Sequence, residues 1–263
     1  MLSLINANDL RGCTYAEAFC GGAGLAMKLL LKGDVLKVVL NDSDPAVFSI
    51  WNNILNYPDD LCDYIESTPL DMGEWYRCRD VYQESTYPSL ELGKAALFLN
   101  RTNRSGILRG GVIGGKSQAG AYKIDARFNR KSLCKKVRTI SARSNDIVLY
   151  NLDVLRFIDT IASKLSKYSL LYLDPPYVQK GPGLYENSFT EDDHRVLAEH
   201  IRRYNNKWMV TYDTDALVDQ LYCPSDDWAI TTGEISVGYS AANSRYTASE
   251  RLVLGPDVKL PAM

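Results

Sequence analysis

A strand, a glycine-rich turn and a helix, followed by an almost wholly apolar strand, constrain the fold of this chain most strongly. Residues Thr14 to Phe19 predict a strand, Cys20 to Gly24 a tight turn, and Leu25 to Leu31 a helix. Gly33 ends that helix, and Val35 to Leu40 predict the second strand. A strand without polar alternation is usually buried on both faces, as in a parallel sheet. The segment therefore predicts a parallel sheet covered by helices.

The same alternation of strands and helices continues along the chain. Asp44 is placed to cap a helix over residues 46–55, with Pro45 at its first position, and Thr190 is placed to cap a later helix. Further strands are predicted at 147–150, 169–173, 208–212, 229–235 and 251–254, and further helices at 90–99, 131–140, 154–165, 191–204 and 217–221. This order predicts a doubly wound, Rossmann-like α/β fold.

Composition limits the class of protein. The 263 residues, 46% of them hydrophobic and 24% charged, suffice for one α/β core and an insertion. We expect no membrane span and no secretory signal, because no apolar run is long enough and the first residues lack a basic start. Six cysteines without a CxxC pair, and two histidines, argue against a metal site or a disulfide framework. A reducing cytoplasm is the expected location.

Positive charge is concentrated in one segment. Residues 101–143 contain twelve Lys or Arg and one acid, Asp125, which gives a net charge of +11 against −13 for the rest of the chain. A basic patch on an acidic body is typical of a surface that binds a polyanion. A solvated basic loop is the alternative. The candidates for contact with a nucleic acid are Arg101, Arg104, Arg109, Lys116, Lys123, Arg127 and Arg130.

The glycine turn and the acid that follows it suit a nucleotide-like ligand. Glycines at 21, 22 and 24 allow a ligand to approach the backbone closely, and Asp42 ends the next strand, where a carboxylate can accept hydrogen bonds from both ribose hydroxyls. The spacing does not distinguish NAD from S-adenosylmethionine. A tight turn and a helix-capping acid would leave the same pattern.

The tetrapeptide Asp174-Pro175-Pro176-Tyr177 after an apolar strand is the most informative feature for chemistry. Two prolines make a rigid turn that can direct the Asp174 carboxylate and the Pro175 carbonyl at one point. Two acceptors on the two N–H bonds of an aromatic amine can free its delocalised lone pair for attack. Tyr177 can stack on the base, which must first leave the duplex. A plain proline turn is the alternative.

Together these residues resemble the Dam-like, or alpha-class, DNA adenine-N6 methyltransferases, over most of the chain. The matching segments are Glu17–Gly24, Asn41-Asp42, Phe98–Thr102, Tyr150–Asp153, Asp174–Tyr177, Gly120–Lys123, Arg127–Asn129, Phe189 and Asp193-His194. The resemblance implies a Rossmann-like methyltransferase fold with a small DNA-recognition insertion. It places the catalytic domain at residues 1–100 and 145–263 and a basic target-recognition insertion at 101–144.

The resemblance also implies a cofactor, a substrate and the residues that bind them. The cofactor is S-adenosyl-L-methionine, and the substrate is double-stranded DNA whose flipped adenine accepts a methyl group on N6 at a specific site. Residues expected to hold the cofactor are Tyr15, Glu17, Ala18, Phe19, Gly21, Gly22, Gly24, Asn41, Asp42 and Asp153. The resemblance also implies a cytoplasmic protein of a prokaryote or phage, and it leaves a cognate restriction enzyme open as a partner.

One part of the family pattern is missing. Members usually begin with a KWxGGK-like segment whose lysine helps to bind the cofactor carboxylate, and nothing similar precedes Thr14. Gly114-Gly115-Lys116 lies instead in the insertion. The insertion is also short, which predicts a short target site or loose specificity.

Three other functions compete with this interpretation. A NAD-dependent dehydrogenase would leave the proline turn unexplained. Enzymes that methylate RNA or a protein amide usually carry Asn in place of Asp174. A DNA-binding module with a vestigial methylase fold would be consistent with the missing lysine segment.

Three further positions have minor roles in the prediction. His194 is expected to form a structural hydrogen bond at the start of a helix. Tyr185 and Tyr239-Ser240 are weak candidates for the border of the substrate site.

Overall fold

The computed structural model describes residues 1–178, 189–225, 228–241 and 244–261. The chain divides into two compact units. The sheet unit comprises residues 1–43 and the chain from residue 146, and the helical unit comprises Asp44 to Asn145. The helical unit is thus larger than the predicted insertion, because residues 44–100 group with the basic segment.

The sheet unit is built on seven strands in the described part of the chain. Their bounds are β1 Thr14–Glu17, β2 Lys37–Asn41, β3 Ile147–Tyr150, β4 Ser169–Leu173, β5 Lys207–Asp213, β6 Thr231–Ala241 and β7 Ser244–Leu254. The strand order is β3-β2-β1-β4-β5-β7-β6. The first five strands pair in parallel, and β7 pairs antiparallel to both neighbours. The predicted doubly wound, Rossmann-like α/β fold is confirmed.

Ten α-helices accompany the strands in the described residues. They are α1 Leu2–Ala7, α2 Gly24–Lys32, α3 Pro45–Asn56, α4 Pro58–Ser67, α5 Met72–Glu84, α6 Leu90–Thr102, α7 Arg130–Ser141, α8 Val154–Thr160, α9 Glu191–Arg202 and α10 Ala216–Leu221. Asp44 accepts a hydrogen bond from the Ala46 N–H and Thr190 forms a capping box, so both predicted caps are confirmed. No helix of the described residues is long and apolar enough to cross a membrane.

Burial of the central strands explains their apolar sequences. The side chains of Tyr15, Ala16, Leu170 and Leu171 in β1 and β4 are completely buried. Helices α8 and α9 pack on one face of the sheet in a core that includes Trp208 of β5. A rigid parallel sheet is therefore available to hold the loops that follow its strands.

Several strand boundaries differ from the prediction by one or two residues, and those of the β6–β7 hairpin differ by more. Strand β2 begins at Lys37, two residues late, because Thr14 and Lys37 are the first paired residues and Leu36 is exposed. The β6–β7 hairpin continues to Ala241 and Ser244, well beyond the apolar residues that predicted these strands. Antiparallel pairing uses main-chain groups and does not require an apolar face on every residue.

In the helical unit, close packing joins α3 to α6. A Cβ atom on Gly93 of α6 would lie 2.2 Å from Nδ2 of Asn53 and 2.5 Å from the carbonyl oxygen of Ser49, both in α3. Trp75 of α5 donates a 2.8 Å hydrogen bond to Oδ1 of Asn103, at the start of the basic segment. The basic segment is therefore packed against helices instead of extending as a free loop.

Candidate active site

The topology brings the two sequence motifs to one edge of the sheet. Strand β1 lies between β2 and β4, so the strand order reverses between β1 and β4. Open α/β sheets bind ligands at this switch point, beyond the carboxyl ends of the strands. Glu17 of β1 pairs with Tyr172 of β4, and the Ala18 N–H donates to the Tyr172 carbonyl at 3.0 Å. The glycine turn and Asp174 therefore leave neighbouring strands side by side.

Two carboxylates hold the glycine turn in shape. Oε1 of the buried Glu17 accepts from the Ala26 N–H in the first turn of α2, at 3.1 Å. Oδ2 of Asp42 accepts from the Gly21 N–H at 2.8 Å. Gly21 has a φ of +45°, a conformation that glycine adopts without strain. Both acids thus fix the main chain at the position where a ligand is expected.

The glycines of the turn face open space. A Cβ atom on Gly21, Gly22 or Gly24 would have no neighbouring atom within 4 Å. Packing within the protein therefore does not require glycine at positions 22 and 24, whereas close approach of a bound molecule would. The turn fits a cofactor that contacts the main chain directly.

Asn41 connects the ends of three strands. Its side-chain amide donates to the carbonyls of Ala18 and Leu152, and its oxygen accepts from the Leu152 N–H, at 3.0–3.1 Å. It is 1% exposed, so its contribution to the site is to position the main chain after β1 and β3. Asp153, next to Leu152, is exposed and accepts from the N–H of Leu155 at the start of α8.

A chain of hydroxyl groups orients Asp174. Thr211 of β5 donates to Oδ1 of Asp174 at 2.9 Å, and the Tyr172 hydroxyl lies 2.8 Å from the same Thr211 oxygen. Because the single proton of Thr211 goes to Asp174, Tyr172 is the donor to Thr211. The carboxylate remains partly exposed, while Pro175 and Pro176 are buried. The proline turn therefore holds a carboxylate in a fixed direction at the edge of the sheet.

Tyr177 is fixed by a residue from another strand. Its hydroxyl donates a 2.6 Å hydrogen bond to Oε1 of Glu250 in β7, and Glu250 is 5% exposed. The next residue, Val178, donates its N–H to Oδ1 of Asp213 at the end of β5, at 3.1 Å. The last part of the tetrapeptide is thus tied to β5 and β7.

Two carboxyl groups at this edge have raised pKa values. Desolvation raises the pKa of Glu17 to about 7, with a further contribution from the negative charge of Asp174. Desolvation also raises the pKa of Asp174 to about 6; the Thr211 hydrogen bond opposes this shift and the charge of Glu250 adds to it. Raised carboxyl pKa values are common at functional sites. Asp174 is largely ionised at neutral pH and can act as a hydrogen-bond acceptor.

Aromatic side chains surround the turn. Tyr15 is completely buried and packs against Tyr172 with 6.4 Å between ring centroids, so it lies under the site. Phe19 is half-buried and contacts Phe189 edge-on at 5.8 Å. Burial strongly raises the pKa of the Tyr15 hydroxyl.

His194 has the structural role that was predicted. It is 1% exposed in the first turn of α9, and its Nδ1 lies 2.9 Å from the Tyr212 hydroxyl. Burial lowers its pKa. Its ring packs between Phe189 and Tyr212 and stabilises the start of the helix.

Several cations predicted to contact DNA bind main-chain carbonyls of the helical unit. Arg101 donates twice to the Arg127 carbonyl, and Arg127 donates to the Asn103 carbonyl at 3.2 Å. Arg130 donates to the carbonyls of Ile65 and Thr68. Burial lowers the pKa of Arg101. These three arginines therefore stabilise the fold of the segment, whatever else they bind.

The other predicted cations are exposed. Arg104, Arg109, Lys116 and Lys123 are all exposed to solvent, and Lys123 also donates to the Gln118 carbonyl at 2.6 Å. Because these side chains lie at the solvent surface, they are better placed to reach phosphate groups than the three arginines that hold main-chain carbonyls. Tyr185 and Tyr239-Ser240, the candidates for the border of the substrate site, lie outside the residues or side chains that the structure describes.

Three residues of this edge were missed by sequence reasoning. Thr211, Asp213 and Glu250 lie 37 or more positions beyond Asp174 in the chain, in strands that carry no recognisable motif. A polar residue within an apolar strand was the available signal, since Thr211 and Asp213 flank Tyr212 at the end of β5. Strand pairing, which sequence does not give, was needed to place Glu250.

Comparison with solved structures gives matches of low similarity. An rRNA methyltransferase, aviRa, from Streptomyces viridochromogenes is 15% identical with a TM-score of 0.41, and the match covers 97% of this chain and 83% of that one. An rRNA methylase from Streptococcus thermophilus is 10% identical with a TM-score of 0.34, covering 97% and 94% of the two chains. At these TM-scores the likeness carries no functional information.

Sequence comparisons are more specific. The chain is 24% identical over 213 residues to the Type II methyltransferase M.MjaIII of Methanocaldococcus jannaschii, which covers 73% of this chain and 70% of that protein. The family model described as D12 class N6 adenine-specific DNA methyltransferase matches residues 2–230. That match includes the glycine turn, the basic segment and the Asp174 tetrapeptide. The chain therefore belongs to the D12 class of N6 adenine-specific DNA methyltransferases.

Proposed function

We propose that this protein transfers a methyl group from S-adenosyl-L-methionine to N6 of an adenine flipped out of double-stranded DNA, at a specific site. The observation that carries the proposal is the adjacency of two elements at the switch point. A glycine turn with open space above it follows β1, and a carboxylate oriented by Thr211 follows β4. Membership of the family supplies the substrate class.

The residues of the turn fit a nucleoside-containing cofactor. The space next to Gly22 and Gly24 is open, so a ligand can approach the main chain there. Hydrogen bonds to Glu17 and Asp42 hold the main chain of the turn in its conformation. Asp42 is proposed to bind the ribose of the cofactor, and Asp153 is proposed to face its adenine. Asn41 positions the main chain after β1 and after β3. When bound, S-adenosylmethionine supplies an electrophilic methyl group on sulfur.

Asp174 activates the amine of the substrate. Its ionised carboxylate accepts one N–H of the adenine amino group, and the Pro175 carbonyl accepts the other, which returns lone-pair density to nitrogen. Fixed dipoles need no reorganisation during the reaction, so an oriented Asp174 lowers the barrier more than a mobile one. Stacking on Tyr177, worth about 1–3 kcal/mol, offsets the few kcal/mol needed to unstack the base.

Positive charge in the helical unit supports DNA as the partner. Arg104, Arg109 and Lys116 are exposed at the surface, where cations can contact the phosphate groups that provide much of the affinity of proteins for DNA. Arg101, Arg127 and Arg130 add positive potential while holding carbonyls.

Labelled methyl transfer tests the proposal. Purified protein, labelled S-adenosylmethionine and unmethylated genomic DNA should yield label in N6-methyladenine. Asp174→Ala should abolish transfer while S-adenosylmethionine binding, measured by calorimetry, is largely retained. Full activity in that variant would refute the role of Asp174.

The same assay separates the competing functions. Label in RNA but not in DNA would indicate an RNA methyltransferase, and DNA binding without label in either would indicate a vestigial module. Sequencing methylated bases in DNA from cells that express the protein would give the target site.

A further inference from the structure

Two buried acids sit side by side on neighbouring strands next to the tetrapeptide. Asp213 of β5 and Glu250 of β7 are paired residues of the antiparallel ladder, and they are 7% and 5% exposed. Each accepts a hydrogen bond from the chain that follows the two prolines. Glu250 accepts from the hydroxyl of Tyr177 at 2.6 Å and Asp213 from the N–H of Val178 at 3.1 Å. We name this pair the acidic clamp.

The acidic clamp is unfavourable for stability on general grounds. Like charges directly opposite on paired strands destabilise a sheet, and buried carboxylates lose hydration that hydrogen bonds must replace. Asp174 is a third acid close to this pair, since the negative charge of Glu250 contributes to the raised pKa of Asp174. Positions that cost stability in this way are typical of functional sites.

Strand alternation separates the clamp from the ion pairs of β7. Arg251, the next residue, points to the opposite face and forms ion pairs with Asp219 at 2.5 Å and Glu234 at 3.7 Å. Glu250 instead turns inward to Tyr177. It also lies beyond residues 2–230, the part matched by the family model, so the family match assigns it no role.

We propose that Glu250, supported by Asp213, is a positioning residue that fixes the ring of Tyr177 in the direction from which it receives the flipped adenine. The inference rests on the proposed function. A tyrosine ring held at its hydroxyl end cannot rotate away from the base, so less entropy is lost when the base stacks. The bond from Val178 to Asp213 holds the main chain of the same segment. The clamp therefore acts on the reaction by holding Tyr177, in addition to the effect of the Glu250 charge on Asp174, and does not touch the substrate.

A double-mutant cycle tests this coupling. Tyr177→Phe keeps the ring and removes the hydroxyl, and Glu250→Leu removes the acceptor. Each change should lower the single-turnover rate roughly 10- to 100-fold, the loss expected for one hydrogen bond to a charged group. Measured at pH 8, where Asp174 is ionised, the double variant should lose no more than Tyr177→Phe alone, because the bond that Glu250→Leu breaks is already absent in that variant. Glu250→Gln keeps an acceptor oxygen and should retain most of the rate.

Glu234→Gln is the matched control. Glu234 lies in the same hairpin and its side chain is 57% exposed, where it accepts from the Ser249 hydroxyl. The control should leave both the rate and the thermal midpoint unchanged. Glu250→Leu removes the hydrogen bond from Tyr177 and also the repulsion from Asp213; because these two changes have opposite effects on stability, its midpoint should stay close to that of the wild type. If Glu250 had a purely structural role, its replacement would not slow the enzyme while leaving its stability unchanged.

Amide hydrogen exchange provides a readout that does not need activity. The amides of residues 174–178 should exchange faster in Glu250→Leu than in the wild type. Their exchange rates in Glu234→Gln should equal those of the wild type. The proposal would be overturned if the rate losses of the two single variants multiplied in the double variant. It would also be overturned if exchange in that peptide did not change in Glu250→Leu. A wild type that transfers no methyl group to DNA contradicts the proposed function instead, and the exchange result then decides whether the clamp holds Tyr177.

Discussion

The hydroxyl of Thr211 donates a 2.9 Å hydrogen bond to Oδ1 of Asp174 and so links strand β5 to the segment that follows β4. Thr211 is itself 3% exposed and receives the Tyr172 hydroxyl at 2.8 Å. Hydrogen bonds in such a chain strengthen one another. The carboxylate of Asp174 is thus oriented before any substrate arrives, which is the condition for efficient electrostatic catalysis.

Thr211→Val should slow methyl transfer while the protein still folds. The substitution keeps the shape but removes the hydrogen bond to Asp174, so we expect a loss of roughly 10-fold or more in the single-turnover rate. The pKa of Asp174 should also rise, because Thr211 opposes the raised value. The acid limb of the pH–rate profile would then move to higher pH. Thr211→Ser, which keeps the hydroxyl, is the control, and an equal loss in both variants would contradict this role.

The pH dependence of activity should follow Asp174. With a pKa of about 6, Asp174 loses its acceptor function as the pH falls below that value, so the rate should drop on the acid side. Desolvation raises this pKa most; the hydrogen bonds from Thr211 and Tyr177 lower it, and the charge of Glu250 raises it. Glu250→Gln removes one negative charge and should move the acid limb to lower pH. Rates measured from pH 5 to 9 under single-turnover conditions test both statements.

Glu17 should make the protein less stable as the pH rises, whereas Asp174 should make it more active. Its pKa in the folded protein, about 7, exceeds the unfolded value of about 4.3, so the folded state binds the extra proton between these values. Its contribution therefore disfavours folding above pH 7 and vanishes below about pH 4. Glu17→Gln should raise the free energy of unfolding at pH 8, by at most about 4 kcal/mol, and change it little at pH 4. Urea unfolding at the two pH values provides the measurement, and a gain of equal size at both would exclude this account.

Alanine at two glycines should separate cofactor binding from folding. Gly22→Ala places a methyl group in open space, so stability should hold while S-adenosylmethionine affinity falls at least roughly 10-fold. Gly93→Ala forces a Cβ against Asn53 and Ser49 of α3, so it should cost about 1–3 kcal/mol of stability. Cofactor titration and thermal unfolding of both variants provide the test. Normal cofactor affinity in Gly22→Ala would show that the turn does not approach the ligand.

Exposed and internally bonded cations of the helical unit should behave differently. Lys116→Gln should weaken DNA binding and lower the salt dependence by about one unit of slope, with no change in thermal midpoint. Arg130→Gln should lower the midpoint, because it removes hydrogen bonds to Ile65 and Thr68. Binding to one DNA fragment at several salt concentrations, with unfolding of both proteins, is the measurement. Salt-independent binding by the wild type would argue against phosphate contact.

Local patterns were sufficient to predict most elements of the fold. The apolar strands β1, β2, β4 and β5 and the caps at Asp44 and Thr190 depend on residues that are neighbours in the chain, and all were found as predicted apart from small shifts of their ends. The long β6–β7 hairpin was underestimated, since its pairing uses main-chain groups that leave no apolar pattern.

The sequence by itself determined the fold class, the family and the two motifs, because glycine and proline impose their backbone geometry locally and the tetrapeptide is specific. Only the tertiary structure decided what holds those motifs in place. Thr211, Asp213 and Glu250 reach the Asp174 segment through strand pairing between residues distant in the chain, and Arg101 and Arg130 use their charges on main-chain carbonyls. Such contacts depend on which strands and helices become neighbours, and a one-dimensional pattern does not contain that information.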